Sequence, residues 1–113
     1  MNILVVEDEL IIQLDIKIEL EDNGFVVFTA DRGDDAIDIV ENNDIDCVLM
    51  DINIKGNKNG IETANIIRDN YDIPIIFSTA NNDLLNREEF PYVITKPFNI
   101  NEIKNIIEEV KNL

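Results

Sequence analysis

Three carboxylates, a hydroxyl and an ammonium stand in this sequence directly after short apolar runs. Glu7 and Asp8 follow Ile3 to Val6, Asp51 follows Asp46 to Met50, Thr79 follows Pro74 to Ser78, and Lys96 comes shortly after Tyr92 to Ile94. If these runs are parallel strands, all five side chains arrive at one rim. Carboxylates gathered in one place repel each other, and a hard divalent cation held by oxygen ligands relieves that repulsion. Mg²⁺ suits the set, because it takes one or two protein carboxylates and shares its remaining positions with water and a phosphoryl group. A lysine ammonium can then neutralise phosphoryl oxygens on the side away from the metal, while a hydroxyl donates to another. A carboxylate can also act as nucleophile and form an aspartyl-phosphate. Asp51 is the candidate by position, lying between the acidic pair and the Thr79 and Lys96 side.

The elements that position these residues are legible as periodicity. Five apolar runs, the four above and Phe25 to Thr29, have the character of strands buried on both faces. Helical spacing fills the intervals at about Leu10 to Glu21, Asp34 to Asn42, Ile61 to Asn70, a shorter stretch around Asp83 to Glu89, and Ile100 to Leu113. Alternating strands and helices imply βαβ units with right-handed crossovers, and hence an open α/β fold with a doubly wound, five-stranded parallel sheet. In such sheets ligands bind outside the carboxyl ends of the strands. The last helix is the clearest, with Ile103, Ile106, Ile107 and Val110 on one face and Asn99 with Glu102 at capping-box spacing. Gly24 and Gly33 are expected in turns.

Composition narrows the function. The 113 residues, 45% apolar, suit one receiver-sized domain over 1–113, and with the sequence reaching only the fifth βα unit no output domain is expected. A formal charge of −15 repels nucleic acid and anionic lipid surfaces. The complete absence of histidine excludes His-based triads, imidazole zinc sites and a phosphohistidine carrier role. Cys47 sits within an apolar run and is expected as a small buried hydrophobe. No stretch approaches the roughly 20 apolar residues of a membrane span, so a cytoplasmic location is expected.

The set Val6-Glu7-Asp8-Glu9, Met50-Asp51-Ile52-Asn53, Gly60-Ile61-Glu62, Ser78-Thr79-Ala80 and Lys96-Pro97-Phe98 resembles the receiver domain of response regulators, in order and over nearly the whole chain. The resemblance is to a stand-alone, CheY-like receiver of the flavodoxin-like (βα)5 type, with strand order 2-1-3-4-5. It implies that Asp51 takes a phosphoryl group from a histidine kinase or histidine phosphotransfer protein. It also implies that Glu7, Asp8 and Asp51 bind Mg²⁺ with their side chains and Asn53 with its main-chain carbonyl. Thr79 and Lys96 would contact the phosphoryl group, and Ala80 would be the small residue that lets the following loop approach. Such a domain is a signalling switch that promotes its own phosphorylation and dephosphorylation. It would signal through protein contacts to a downstream target, as a monomer or weak dimer.

Other readings meet specific obstacles. Asp51 to Glu62 nearly matches a calcium-binding loop, but Lys55 stands at a ligand position and an apolar strand precedes the loop where a helix is required. A haloacid-dehalogenase-type phosphohydrolase needs a second aspartate two residues after the nucleophile, and that residue is Asn53. A pseudo-receiver would lack the nucleophile, the lysine or the acidic pair.

The chain also departs from the family pattern. The coupling aromatic expected three residues before the lysine is Val93, and Tyr92 would point to the opposite face unless a bulge intervenes. Sixteen residues separate Thr79 from Lys96, which predicts a short or irregular fourth helix. The first helix carries two apolar stripes, Ile12, Ile16 and Leu20 against Leu10, Ile11, Leu14 and Ile18. Comparison with the family places the Ile12 stripe inward and leaves the other for docking a helical partner.

Overall fold

The structure is a computed structural model describing residues 1–80, 88–97 and 99–111. Among these residues the chain alternates β1 (Asn2–Val6), α1 (Leu10–Asp22), β2 (Val26–Ala30), α2 (Gly33–Asn42), β3 (Cys47–Asp51), α3 (Gly60–Tyr71), β4 (Ile75–Thr79), β5 (Tyr92–Thr95) and α4 (Ile100–Lys111). The five strands form one parallel sheet in the order β2-β1-β3-β4-β5, the doubly wound arrangement expected from the sequence. The fourth predicted helix, around Asp83 to Glu89, falls largely outside the described residues; Glu88 and Glu89 lie in a turn.

Successive side chains of a strand point to opposite faces, so the continuous apolar runs supply two cores. On one face Leu4, Val6, Val48, Met50 and Phe77 pack with Ala36 and Val40 of α2 and Ala64 and Ile67 of α3. On the other, Ile3, Val5, Cys47, Leu49 and Ile76 pack with Ile16 and Leu20 of α1 and Ile103 and Ile107 of α4. Cys47 is fully buried, and burial followed by the nearby Asp46 charge pushes its thiol up to about 12. It is an inert part of this core.

Register brings the strand ends into line. Val6 pairs with both Ala30 and Met50, Asp51 with Ser78, and Thr79 with Thr95. Asp51 and Thr79 are therefore the last residues of their strands, which end one position later than the apolar runs indicate. At β2 the shift comes from α1: Phe25 N–H donates to the Leu20 carbonyl at 3.2 Å, so Phe25 finishes the helix end and the strand starts at Val26.

Gly24 has φ +90 and turns the chain out of α1 as expected. Gly33 does not occupy a turn. It is the buried first residue of α2, and a Cβ there would run into the Thr63 side chain on α3, so its small size lets the two helices approach. Helix α3 begins with a reciprocal capping box: Glu62 N–H donates to Asn59 Oδ1 at 2.9 Å and Asn59 N–H donates to Glu62 Oε1 at 3.1 Å. At α4, Glu102 N–H donates to Asn99 Oδ1 at 3.1 Å.

Candidate phosphoacceptor and metal site

The rim at the carboxyl ends of β1, β3, β4 and β5 collects the predicted side chains. Ligand oxygens of Glu7, Asp8 and Asp51 all lie within 4.8 Å of one another. Glu7 is 2% exposed and Asp51 8%, so two of the three carboxylates are buried in a compact group. Lys96 Nζ stands 3.1 Å from Asp51 Oδ2 and 3.6 Å from Glu7 Oε1. One cation thus offsets three anions, an arrangement that leaves the group short of positive charge.

The shortage shows in the protonation of the pair. Burial, and next the contact with Asp51, push Glu7 up to about 8. For Asp51, burial alone would raise the pKa. Sharing a proton with Glu7, the Asn53 N–H that donates to Oδ1 at 3.1 Å, and Lys96 outweigh it and hold the carboxyl below its ordinary value. Asp51 is the ionised member and Glu7 the proton-holding member. Neither oxygen of Glu7 accepts a hydrogen bond from any described donor. Buried carboxylate oxygens without donors are what a hard cation satisfies, so this donor set fits Mg²⁺.

Several backbone contacts hold the rim in shape. Glu7 N–H donates to the Ala30 carbonyl at 3.0 Å, extending the β1–β2 ladder to the acidic pair. Lys96 N–H donates to the Thr79 carbonyl at 2.8 Å, fixing the lysine beside the end of β4. Thr79 is 3% exposed, and Ala80 follows it as an exposed residue. Asn53 is exposed on the loop after β3.

Sequence reasoning missed two supporting residues, Gln13 and Asn59, and named Gly60 without a structural role. Gln13 Nε2 on α1 donates to the carbonyls of Glu7 at 3.0 Å and Ala30 at 3.2 Å, tying the helix to the loop that carries the acidic pair. Nothing in the sequence distinguished it from any polar helix residue. Gly60 lies against the backbone of the acceptor: its N–H donates to the Ile52 carbonyl at 2.7 Å, and a Cβ would strike the Asp51 carbonyl oxygen and come within 2.7 Å of Ile52 Cα. Asn59 starts that helix through the Asn59-x-x-Glu62 box, a spacing visible in the sequence. This box also removes the calcium-loop reading. Glu62 is engaged at a helix cap, and Asp51 closes a strand rather than opening a loop after a helix.

Away from the rim, β4 and β5 pair in unbroken register, Ile76 with Tyr92 and Phe77 with Val93. No bulge restores Tyr92: it packs on the α1 and α4 side, whereas Val93 packs on the side of α2 and α3. On α1, Ile16 and Leu20 are buried, while Leu10, Ile11, Leu14 and Ile18 are exposed.

Residues 3–108 match the response regulator receiver domain family. The chain is 32% identical over 124 residues to the aerobic respiration control protein ArcA of Escherichia coli K12, a match covering 99% of this chain and 50% of the relative. It thus spans about half the length of the curated relatives it matches. Among solved structures, the response regulator protein TrrA of Thermotoga maritima, in complex with Mg(2+)-BeF, has a TM-score of 0.85 and 32% identity, covering 96% of this chain and 97% of that one. The signal receiver domain of a modulated diguanylate cyclase from Desulfovibrio desulfuricans G20 has a TM-score of 0.90 and 27% identity, covering 98% and 93%. No helix among the described residues is long and apolar enough to cross a membrane. With the fold, the acidic rim and the family match over residues 3–108 in agreement, this chain belongs to the response regulator receiver domain family of two-component signalling.

Proposed function

We propose that Asp51 accepts a phosphoryl group from a phosphohistidine on a histidine kinase or histidine phosphotransfer protein, in a Mg²⁺-dependent reaction. The observation that carries this reading is the group of Glu7, Asp8 and Asp51, two of them buried, with Glu7 oxygens that accept no described hydrogen bond and a single facing lysine. Receiver domains bind Mg²⁺ at an acidic pocket, and Glu7, Asp8 and Asp51 would hold it here with the main-chain carbonyl of Asn53. Bound Mg²⁺ supplies charge neutralisation for the carboxylates and the incoming phosphoryl oxygens.

The chain's own residues do the rest. Asp51, kept ionised by the Asn53 N–H and Lys96, presents a carboxylate oxygen to phosphorus. The new O–P bond forms as the P–N bond to the donor imidazole breaks and that nitrogen leaves with the bonding pair. Lys96 moves from the free carboxylate to the phosphoryl oxygens, and the Thr79 hydroxyl donates to another. Ala80 is small enough for its loop to close on the group. Attack of water on phosphorus later returns the carboxylate. The phosphorylated form acts in the cytoplasm through protein contacts, with the exposed stripe of Leu10, Ile11, Leu14 and Ile18 docking the phosphodonor's helices. Transmission by an aromatic switch is not supported, because Val93 takes that position and Tyr92 faces the other side of the sheet.

Phosphoramidate with Mg²⁺, followed by intact mass, tests the assignment. The wild type gains one phosphoryl group that chelation of Mg²⁺ prevents, and Asp51→Asn gains none. Equal labelling of the two proteins would remove Asp51 from its role.

A further inference from the structure

We propose that Gln13 is a positioning residue for the metal: its side-chain amide holds Glu7 and Asp8 at the spacing that a small divalent cation requires. The inference rests on the reading of Glu7, Asp8 and Asp51 as a Mg²⁺ site and adds a residue outside the ligand set. Gln13 is half-buried in the first turn of α1. Its Nε2 donates to the Glu7 carbonyl at 3.0 Å and to the Ala30 carbonyl at 3.2 Å. Carbonyl oxygens only accept, so the amide nitrogen and not its oxygen must face them, and each of its two hydrogens has an acceptor.

The Glu7 carbonyl and the Asp8 N–H belong to one planar peptide group, so a bond to that carbonyl orients the unit from which both acidic residues project. The Glu7 N–H is held too, donating to the same Ala30 carbonyl at 3.0 Å. Glu7 is thus pinned on both sides of its Cα. Among the described residues no hydrogen bond reaches Asp8 directly, and Glu9 at the start of α1 makes no side-chain cap bond. The connection from Glu7 to Glu9 is therefore held by strand pairing at one end, by the Gln13 N–H to Glu9 carbonyl bond of 2.9 Å at the other, and by the Gln13 side chain between them. Mg²⁺ demands near-ideal octahedral geometry at ~2.0–2.1 Å, whereas Ca²⁺ accepts a larger, looser oxygen shell at ~2.3–2.6 Å. A Glu7–Asp8 peptide free to rotate lets the mutually repelling carboxylates spread, which costs Mg²⁺ more than Ca²⁺. Groups that orient metal ligands from behind carry roughly 10–100-fold of metal affinity.

The test is Gln13→Met, which keeps the length of the side chain and a good helix former while deleting the donor. Mg²⁺ and Ca²⁺ are each titrated into the metal-free full chain and followed by amide chemical shifts, which report on the folded protein alone. In Gln13→Met the Kd for Mg²⁺ rises about tenfold or more, and that for Ca²⁺ by no more than about threefold. With phosphoramidate as donor, the Mg²⁺ concentration giving half the maximal labelling rate rises by the same factor as the Mg²⁺ Kd, and the maximal rate moves far less. Ile16→Val, which loosens the same helix from its buried face, lowers Tm by a few degrees and leaves both Kd values within about twofold of wild type. A Mg²⁺ Kd within about twofold of wild type in Gln13→Met would overturn the proposal, as would equal weakening by Ile16→Val or an equal loss for the two cations. Absence of Mg²⁺ binding in the wild type would bring down the metal reading and this inference together. Wild-type affinity in Gln13→Met would remove Gln13 alone and leave the carboxylates and Asp51 in their roles.

Discussion

Glu7 and Ile11 lie a few residues apart and break opposite rules of solvation. Glu7 is a carboxylate 2% exposed with neither oxygen hydrogen-bonded to a described donor; Ile11 is an apolar side chain 86% exposed. Burying a carboxyl group without hydrogen-bond donors and leaving a large apolar patch in water both cost folding free energy. Such costs persist where something outside the chain offsets them. On the proposed function, that something is a cation at the rim and another helix along α1. The difference lies in how tightly each is built into the fold. The carboxylates are fixed by strand register, by Gln13 and by the Gly60 contact, whereas the α1 stripe projects away from every core residue.

Substitutions on α1 should separate its two faces most sharply. Leu20→Ala empties a fully buried position and is expected to cost about 2–5 kcal/mol in denaturant unfolding. A loss below about 1 kcal/mol would mean that the inward stripe is not the packed one. At the rim, saturating Mg²⁺ should raise stability by about 2.7 kcal/mol at a hundred times its Kd, visible as a rise in Tm of several degrees. An unchanged Tm would break the reading of the unpartnered carboxylates as a metal site.

Glu7→Gln sharpens the same point through pH. Glu7 rises from 4.5 to about 8 in the folded chain, so the folded state keeps a proton that the unfolded chain has given up between those values. Its contribution to stability is full below about pH 4.5 and is lost as pH climbs through about 8. Mg²⁺ needs the ionised form, so its affinity should increase with pH over the same window. In Glu7→Gln that part of the pH slope disappears, and Mg²⁺ affinity falls about tenfold or more, measured by titration calorimetry. A slope identical to wild type would place the proton elsewhere. The smallest effect belongs to the outer stripe: Leu14→Ala should change stability by no more than about 0.5 kcal/mol, because the side chain is 55% exposed. A larger cost would show that Leu14 packs against its own chain, and would undo the contrast with Glu7.

Much of this was legible before any coordinates. Continuous runs such as Ile3 to Val6 can only be buried on both faces, and that property, with helices between them, leads to a doubly wound parallel sheet. Because such runs give way to polar or charged residues, the rim set of Glu7, Asp8, Asp51, Thr79 and Lys96 followed from strand ends alone. Boundaries were less legible, because register decides them: Asp51 and Thr79 join their strands by pairing with Ser78 and Thr95. Gly33 was misplaced in a turn for a similar reason. Its need is for closeness to Thr63, thirty positions away in sequence, and no local pattern encodes that.

Periodicity and residue chemistry, both local properties, determined the layered fold and the kinds of group at its rim. Whatever depended on distance between remote segments was decided by the tertiary structure. The two apolar stripes of α1 are alike in composition, and packing against the sheet buried one of them. The elevation of Glu7 to about 8 required it to be buried beside Asp51, forty-four positions along the chain. Burial and Coulomb interaction act through space, so charge balance at the rim and exposure along α1 arise only once the strands are in register.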